Sequence, residues 1–428
     1  MFGHLLKSFT PVTCFSSSSL WDIIAQNYQE SGEDAWNRNI PYAVTNATLT
    51  AQYHAQLIFK HAQTKPYQQH QYGIIDYGAG VGQHAYYLAR SLHKICCDNN
   101  HPVDRFVIYL ADISPKCANH WRQHPELGPL IQKGLLKPLP LSGNWLQDTQ
   151  MIANLPHHQH CVIANYLLDS MPFHAYAHGL KQGVSLSAPR KHLSPNFTGP
   201  LSALKLKTAT LHPQPKLDPL EESLQKRYTS IPRFTIPKTA IESLNHLLTH
   251  CQDLLTIIND KGYLTPEEID YDETFNLTFE GSFSTSVNFD AIRNSLPHNT
   301  HFSIHGDSPR LKTVVISHTP FTPLNTPNCA DTTSLYHLLK GQSNLSLPIC
   351  DSICKVLNYD PYCLELISQA LAESPAPISN AFQQALMKIQ DNYFSKKEDY
   401  HLLHLARIMR KTHHFDQCLI HLQSYAQK

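Results

Sequence analysis

Charge is scarce in this chain. Asp, Glu, Lys and Arg supply 16% of its 428 residues, against roughly 25% in an ordinary soluble domain. What charge there is balances, 34 basic against 34 acidic side chains, so no global field draws the protein to nucleic acid or to an anionic membrane. A disulfide framework is also lacking. The 11 cysteines are an odd number and no Cys-x-x-Cys pair occurs, a usage that fits a reducing compartment. Apolar runs are no longer than a short strand, which argues against a membrane span. Met1 to Leu20 holds one Lys and no acid, but it lacks Arg and a clean amphipathic face, so the cytoplasm is the expected location. No metal site is expected: His157, His158 and His160 cluster, yet no second ligand group with zinc-finger spacing accompanies them.

What stands in place of charge is His, Gln, Asn, Ser and Thr, with 28 His. Hydrophobic residues at 42% suffice for a globular protein, and the length suggests two or three domains. Residues 1–65 read as an N-terminal helical cap, in two helical pieces separated at Pro41, with Thr45 or Asn46 as N-cap of the second. Strand and helix patterns then alternate. Tyr72 to Gly78, Arg105 to Asp112, His160 to Leu167 and Asp253 to Asp260 are short apolar strands, with helices over Gln83 to His93 and from Ser114-Pro115. That alternation predicts a doubly wound, mostly parallel α/β sheet over residues 66–320. His301 to His305 and Lys312 to Ser317 form a closing strand pair. Residues 179–230 break the pattern and read as an insertion, with an amphipathic strand at Leu204 to Thr208. Thr319 to Asn328 is the expected linker, and residues 330–428 are helical.

Asp76-Tyr77-Gly78-Ala79-Gly80-Val81-Gly82 lies between a strand and a helix. Its D-x-G-x-G-x-G spacing differs from the G-x-G-x-x-G that brings a pyrophosphate to a helix N-terminus. The glycines instead allow a tight turn and close approach to a ligand without phosphate. Asp76 can meet a ligand cation directly or through water. Asp112 ends the next strand, where its two acceptor oxygens match the vicinal hydroxyls of a ribose. The alternative is a structural turn with an ordinary capping Asp112.

These residues resemble those of class I S-adenosylmethionine-dependent methyltransferases. More narrowly they resemble the MidA-like family, which includes mitochondrial complex I assembly methyltransferases. Ile163 to Pro172 is similar to that family's A-N-E-x-x-D-A-x-P segment, Gly281 to Asp290 to its D-I-T-x-H-V-D-F segment, and Ala43 to Asn46 to its I-T-A-P-E. The resemblance spans roughly Leu20 to Ser317. It implies a Rossmann-like fold with a mixed, mostly parallel seven-stranded sheet, and S-adenosyl-L-methionine as cofactor. Asp76, Tyr77, Gly78, Ala79, Gly80, Gly82, Asp112 and Ile113 would bind that cofactor. Asn144 and Trp145, after the third strand, would hold its adenine, with a plain core Trp145 as the alternative. Asn165 would orient the substrate or the methionine moiety, and Asp169 would orient or deprotonate the acceptor. The alternative for this pair is a turn stabilised by Asn and Asp side chains. The family's Glu is Tyr166 here, which removes a carboxylate that a guanidinium acceptor needs.

The last helices, with Leu405, Ala406 and Met409 and then Phe415, Cys418 and Leu422, match the small-residue register of a tetratricopeptide hairpin; the alternative is a helical cap. Three functions follow. The first is a methyltransferase acting on a protein side chain, recruited in part by the C-terminal helices. The others are a cofactor-binding scaffold with little or no turnover and a small-molecule methyltransferase, which needs an enclosed pocket.

Overall fold

The structure, a computed structural model, describes residues 6–8, 10–32, 44–64, 71–157, 159–189, 192, 199–269, 283–309, 311–339, 345–364, 366–367 and 379–394. The chain opens with two short strands, β1 (Leu6–Ser8) and β2 (Thr13–Cys14), and two helices, α1 (Leu20–Ser31) and α2 (Thr48–Ala62). The expected all-helical start is therefore half right. Both strands add to an antiparallel partner far along the chain, so isolated local patterns gave no sign of them. The second helix begins at Thr48 rather than after a Thr45 or Asn46 cap. Its cap comes from a distant residue, the Asp360 carboxylate, which accepts from Thr48 N at 2.7 Å.

A regular alternation follows: β3 (Tyr72–Tyr77), α3 (Gln83–Asp98), β4 (Phe106–Asp112), α4 (Pro115–Gln123), β5 (Leu136–Pro140), α5 (Trp145–Ala153) and β6 (His160–Asn165). Each helix has a local reason to start. Gly82 takes φ +82° ahead of α3, Pro115 occupies the first turn of α4, and Asn144 Oδ1 accepts from Gln147 N at the head of α5. The buried residues of α3 include Ala85, Leu88, Leu92 and Cys96, one stripe at helical spacing.

An antiparallel excursion comes next: β7 (His174–Ala177), β8 (Leu180–Pro189), β9 (Lys205–Thr210), α6 (Pro219–Arg227) and β10 (Arg233–Ile236). The expected insertion is thus an ordered sheet, with strands joined as β1-β8-β7-β10 and with β2 and β9 also on β8. The chain returns through α7 (Lys238–His250) to β11 (Leu254–Asp260), and a small parallel pair follows, β12 (Gly262–Tyr263) with β13 (Val287–Asn288). It closes the main sheet with the hairpin β14 (His301–Asp307) and β15 (Lys312–Ser317).

The main sheet runs β14-β15-β11-β6-β3-β4-β5. Strands β5, β4, β3, β6 and β11 are parallel, and β15 is antiparallel to both of its neighbours. That order and polarity make this the Rossmann-like class I methyltransferase fold. Strands β3, β4 and β11 are buried throughout, as expected for a sheet covered on both faces. Ile75 and Tyr77 pack into one apolar cluster, while Tyr72 and Ile74 pack into the other. The order reverses between β3 and β6, and such a switch point leaves a crevice at the carboxyl ends of the strands.

Three further described helices, Cys329–Leu339, Leu347–Val356 and Asn380–Asp391, form their own core around Tyr336, Cys354, Leu364 and Phe382, joined by Ala47 and Leu49. The expected linker is pinned to the domain, since Phe321 is buried and Asn328 Nδ2 donates to His305 O at 2.7 Å. Leu405, Ala406, Met409, Phe415, Cys418 and Leu422, which carry the tetratricopeptide-like register, lie outside the described residues, as does His158. No described helix is long and apolar enough to cross a membrane.

Candidate functional site

A cavity of about 450 Å³ opens at the carboxyl ends of β3, β4 and β6, beneath α1. Its lining decides what it can hold. Among the described residues, the only charged side chains on it are the acids Asp22 and Asp112, with no Lys, Arg or His. Five aromatic rings do: Trp21, Tyr28, Tyr77, Trp145 and Tyr166. Ring faces and carboxylates both favour a cation, and a phosphate would find no counter-charge here.

Asp112 is the centre of the glycine-loop side. Its Oδ2 accepts from Gly80 N and its Oδ1 from Ser114 N, each at 2.9 Å. Each oxygen keeps a second lone pair, so the carboxylate can anchor the loop and still take two ligand hydroxyls. Burial pushes its carboxyl up, with the N–H groups of Ser114, Gly80 and Ile113 holding it back. Gly80 O accepts from Trp121 Nε1 at 2.8 Å, and a Cβ on Gly82 would stand 2.8 Å from Leu127 Cδ1. Gly82 therefore serves helix packing, and it does not line the cavity.

Asp76 lies one layer behind. With Thr45, Asn46, Ala79, Gly80, Asn165 and Tyr166 it lines a niche of about 20 Å³, room for about one water molecule. The niche shares Gly78, Asn165 and Tyr166 with the main cavity. Behind Asp76 runs a buried polar chain that sequence reasoning missed. Asn259 Nδ2 donates to His54 Nε2 at 2.9 Å, His54 Nδ1 meets His84 Nε2 at 2.9 Å, and His84 Nδ1 meets Asp76 Oδ2 at 3.1 Å. An amide donor at one end and a carboxylate at the other fix the order: both imidazoles carry their proton on Nδ1 and point it toward Asp76. Burial and the neighbouring His84 push His54 well below the ordinary histidine range, keeping it neutral. The unusual His content was the one available signal, though nothing in the sequence singled out His54 or His84.

Asn165 ends β6. Its Oδ1 accepts from Asn259 Nδ2 at 2.8 Å, the same amide that feeds His54, so one residue ties both sides of the site together. Asn165 Nδ2 and the Tyr77 hydroxyl are both withdrawn from solvent without a partner, an arrangement that a bound polar ligand would complete. Tyr166 follows in the left-handed region, at φ +48°, and lines both the cavity and the niche. A bulky residue there stores roughly 1–3 kcal/mol of backbone strain.

Asp169, expected to orient or deprotonate the acceptor, does not line the cavity. It is 5% exposed, its Oδ1 accepts from Ser170 Oγ at 2.9 Å, and Lys261 Nζ is 3.9 Å from Oδ2. Lys261 Nζ also donates to Ser284 Oγ at 2.6 Å. Burial pushes the Asp169 carboxyl up, with Lys261 and the serine hydroxyls pulling against it. Asp260 holds the turn by accepting from Leu168 N and Asp169 N, and burial together with the Asp169 charge pushes it well up. The second resembling segment is structural where it is described. Asn288 Oδ1 caps a short helix at Ala291 N, and Asp290 takes a bidentate grip from Arg227.

Of the residues singled out from sequence, Tyr77, Gly78, Asp112, Ile113, Asn144, Trp145 and Asn165 meet on the cavity. Asp76, Ala79 and Gly80 meet on the niche, and Gly82 and Asp169 are on neither. Asn144 lines the rim while its Oδ1 serves as helix cap. Trp145 is a wall residue rather than core, half-buried and tilted over Tyr77 at 5.7 Å. Trp21 and Tyr28, on α1, went unrecognised because nothing local distinguishes them from ordinary core aromatics.

No family model and no curated protein matches the chain. Solved structures do. One is a MidA-like superfamily member from Burkholderia thailandensis bound to S-adenosyl-homocysteine, with 12% identity, 73% of this chain and 89% of that one covered, and a TM-score of 0.48. A second, uncharacterized protein of that superfamily from the same bacterium gives 11% identity, coverage of 75% and 97%, and a TM-score of 0.43. Magnesium protoporphyrin IX methyltransferase from Synechocystis PCC 6803, with the same bound product, gives 11%, coverage of 70% and 99%, and 0.34.

Proposed function

We propose that this protein is an S-adenosylmethionine-dependent methyltransferase. The observation that carries the reading is a carboxylate, Asp112, that closes the glycine loop on a cavity whose charges, among the described residues, are all acidic and whose walls are aromatic. The donor set fits the cofactor. Asp112 would take the ribose hydroxyls, Trp145 and Asn144 would flank the adenine, and Asp76 would reach the ammonium through the niche. Asn165 Nδ2 would donate to the carboxylate of the methionine part. When bound, S-adenosylmethionine supplies an electrophilic methyl group on a sulfonium. The chain's residues orient the acceptor and exclude water, which is most of what an in-line displacement requires. Because Asp169 is turned to Lys261, no carboxylate among the described residues lines the cavity besides Asp22 and Asp112. The site therefore suits a nucleophile that reacts without a strong base from the protein.

The acceptor favoured by the sequence is a protein side chain, with the C-terminal helices as a recruiting surface. A small-molecule acceptor is favoured by a different observation, the aromatic cavity roofed by Trp21 and Tyr28. Methyl-labelled cofactor incubated with fractionated lysate separates the two by where the label lands. A cofactor-binding scaffold would show binding with no label transferred to either fraction.

The cofactor reading is tested by thermal unfolding with and without S-adenosyl-homocysteine. Ligand at a hundredfold over its Kd stabilises the native state by about 2.7 kcal/mol, several degrees in a domain of this size. The shift should vanish in Asp112→Ala. A folded wild-type protein that shows none would sink the reading.

A further inference from the structure

A second cluster of reactive groups stands on the antiparallel sheet, outside the cavity. Cys14, the last residue of β2, is partly exposed, and its Sγ lies 3.4 Å from His174 Nδ1 on β7. The other ring nitrogen, His174 Nε2, is 3.0 Å from Glu221 Oε1 on α6. Glu221 is fixed in turn: Lys181 Nζ donates to it at 2.6 Å, Tyr176 OH at 3.1 Å, and Asp218 N to its other oxygen at 3.1 Å. His174, Lys181 and Glu221 are all buried. A thiol, an imidazole within reach of it, and a carboxylate orienting that imidazole form the arrangement that activates a nucleophile.

The bland alternative is a cysteine used as a small apolar filler. The geometry speaks against it: one ring nitrogen of the buried His174 faces the thiol while the other is held by Glu221, so the imidazole is oriented on the sulfur. Burial pushes the Cys14 thiol up, but the His174 imidazole and the Ser16 hydroxyl outweigh it and bring it down to about 7. Burial alone acts on Cys251 and pushes it up to about 11.

We propose that Cys14 is a thiol-modification site, at which His174 and Glu221 hold a thiolate that reacts with small disulfides. The Cys14 sulfur attacks one sulfur of a low-molecular-weight disulfide. A new S–S bond forms as the old one breaks, the departing thiolate carries away the electron pair, and His174 can then release its proton to it. The disulfide is itself the oxidant. Ser16 and Ser17, two and three residues on, line the proposed cofactor cavity.

The test uses the full chain, alkylated briefly with iodoacetamide across pH 5.5–9 and read peptide by peptide by mass spectrometry. Cys14 should label with a midpoint near 7 and faster at neutral pH than Cys97, the exposed cysteine on α3. Glutathione disulfide should form its mixed disulfide on the Cys14 peptide, and not in Cys14→Ser. His174→Gln should move the midpoint upward by about one unit or more while the circular dichroism stays native. If that variant fails to fold, the wild-type pH profile decides alone. A Cys14 midpoint near 9, or labelling no faster than Cys97 at pH 7, would overturn the proposal.

Discussion

The two sides of the cavity are built on different principles. On the glycine-loop side, Asp76 and Asp112 come from two adjacent parallel strands and Gly80 from the turn between β3 and α3, and Asp112 gathers the neighbouring turns: Gly80 N donates to its Oδ2 and Ser114 N to its Oδ1. On the opposite side, Asn165 and Asp169 are held by Asn259, Asp260, Lys261 and Ser284, which arrive from far along the chain. The first arrangement centres on a local motif between neighbouring strands, although Asp76 also reaches β11 through His84, His54 and Asn259. The second exists only after β11 has docked beside β6. A motif match therefore says more about the glycine loop than about Asp169, whose direction is set by a remote lysine.

Asp112→Ala should expose this contrast most sharply. It removes two charge-assisted acceptors, each worth about 1.5–3 kcal/mol, and calorimetric affinity for S-adenosyl-homocysteine should fall at least about a hundredfold. Next in size, His84→Leu leaves His54 and Asp76 without their shared partner. Urea unfolding should show a loss of about 2–3 kcal/mol.

Acid should weaken the fold through its buried imidazoles. Burial depresses His305 to about 4 and pushes His54 well below the ordinary histidine range, so below pH 6.5 the unfolded chain binds the extra protons. Their contribution is whole above pH 6.5 and is lost as pH falls toward 4. His305→Gln should therefore lose about 2 kcal/mol less than wild type between pH 7 and 5, at about 1.4 kcal/mol per pH unit. The difference between the two proteins is the readout, because the raised carboxyls Asp112, Asp169 and Asp260 act in the opposite direction in both.

Smaller effects complete the series. Trp145→Ala should weaken cofactor affinity about tenfold through lost ring contact, and ligand should quench less tryptophan fluorescence in that variant. Asp169→Asn should leave affinity within about threefold of wild type, since its carboxylate is off the cavity. A hundredfold loss there would erase the distinction between the two sides.

How much of this was legible in the sequence follows the same division. The strands ending at Tyr77, Asp112 and Asp260, the closing hairpin and the D-x-G-x-G-x-G turn were readable because apolar runs and glycines act over a few residues. Thr48 takes its cap from Asp360, β1 and β2 pair with β8, and His54 meets His84 across two helices. Each of these is a tertiary contact between segments with no local signature, so propensity and spacing are silent about them. The pairing of Asp169 with Lys261 was hidden for the same reason, since the two lie far apart in the sequence.

The most direct test of the central claim is calorimetric titration of wild-type protein and Asp112→Ala with S-adenosylmethionine and S-adenosyl-homocysteine. The account predicts one site per chain in wild type and a loss of binding in the variant. A folded wild-type protein that binds neither compound, or a variant that binds both as well as wild type, would contradict it.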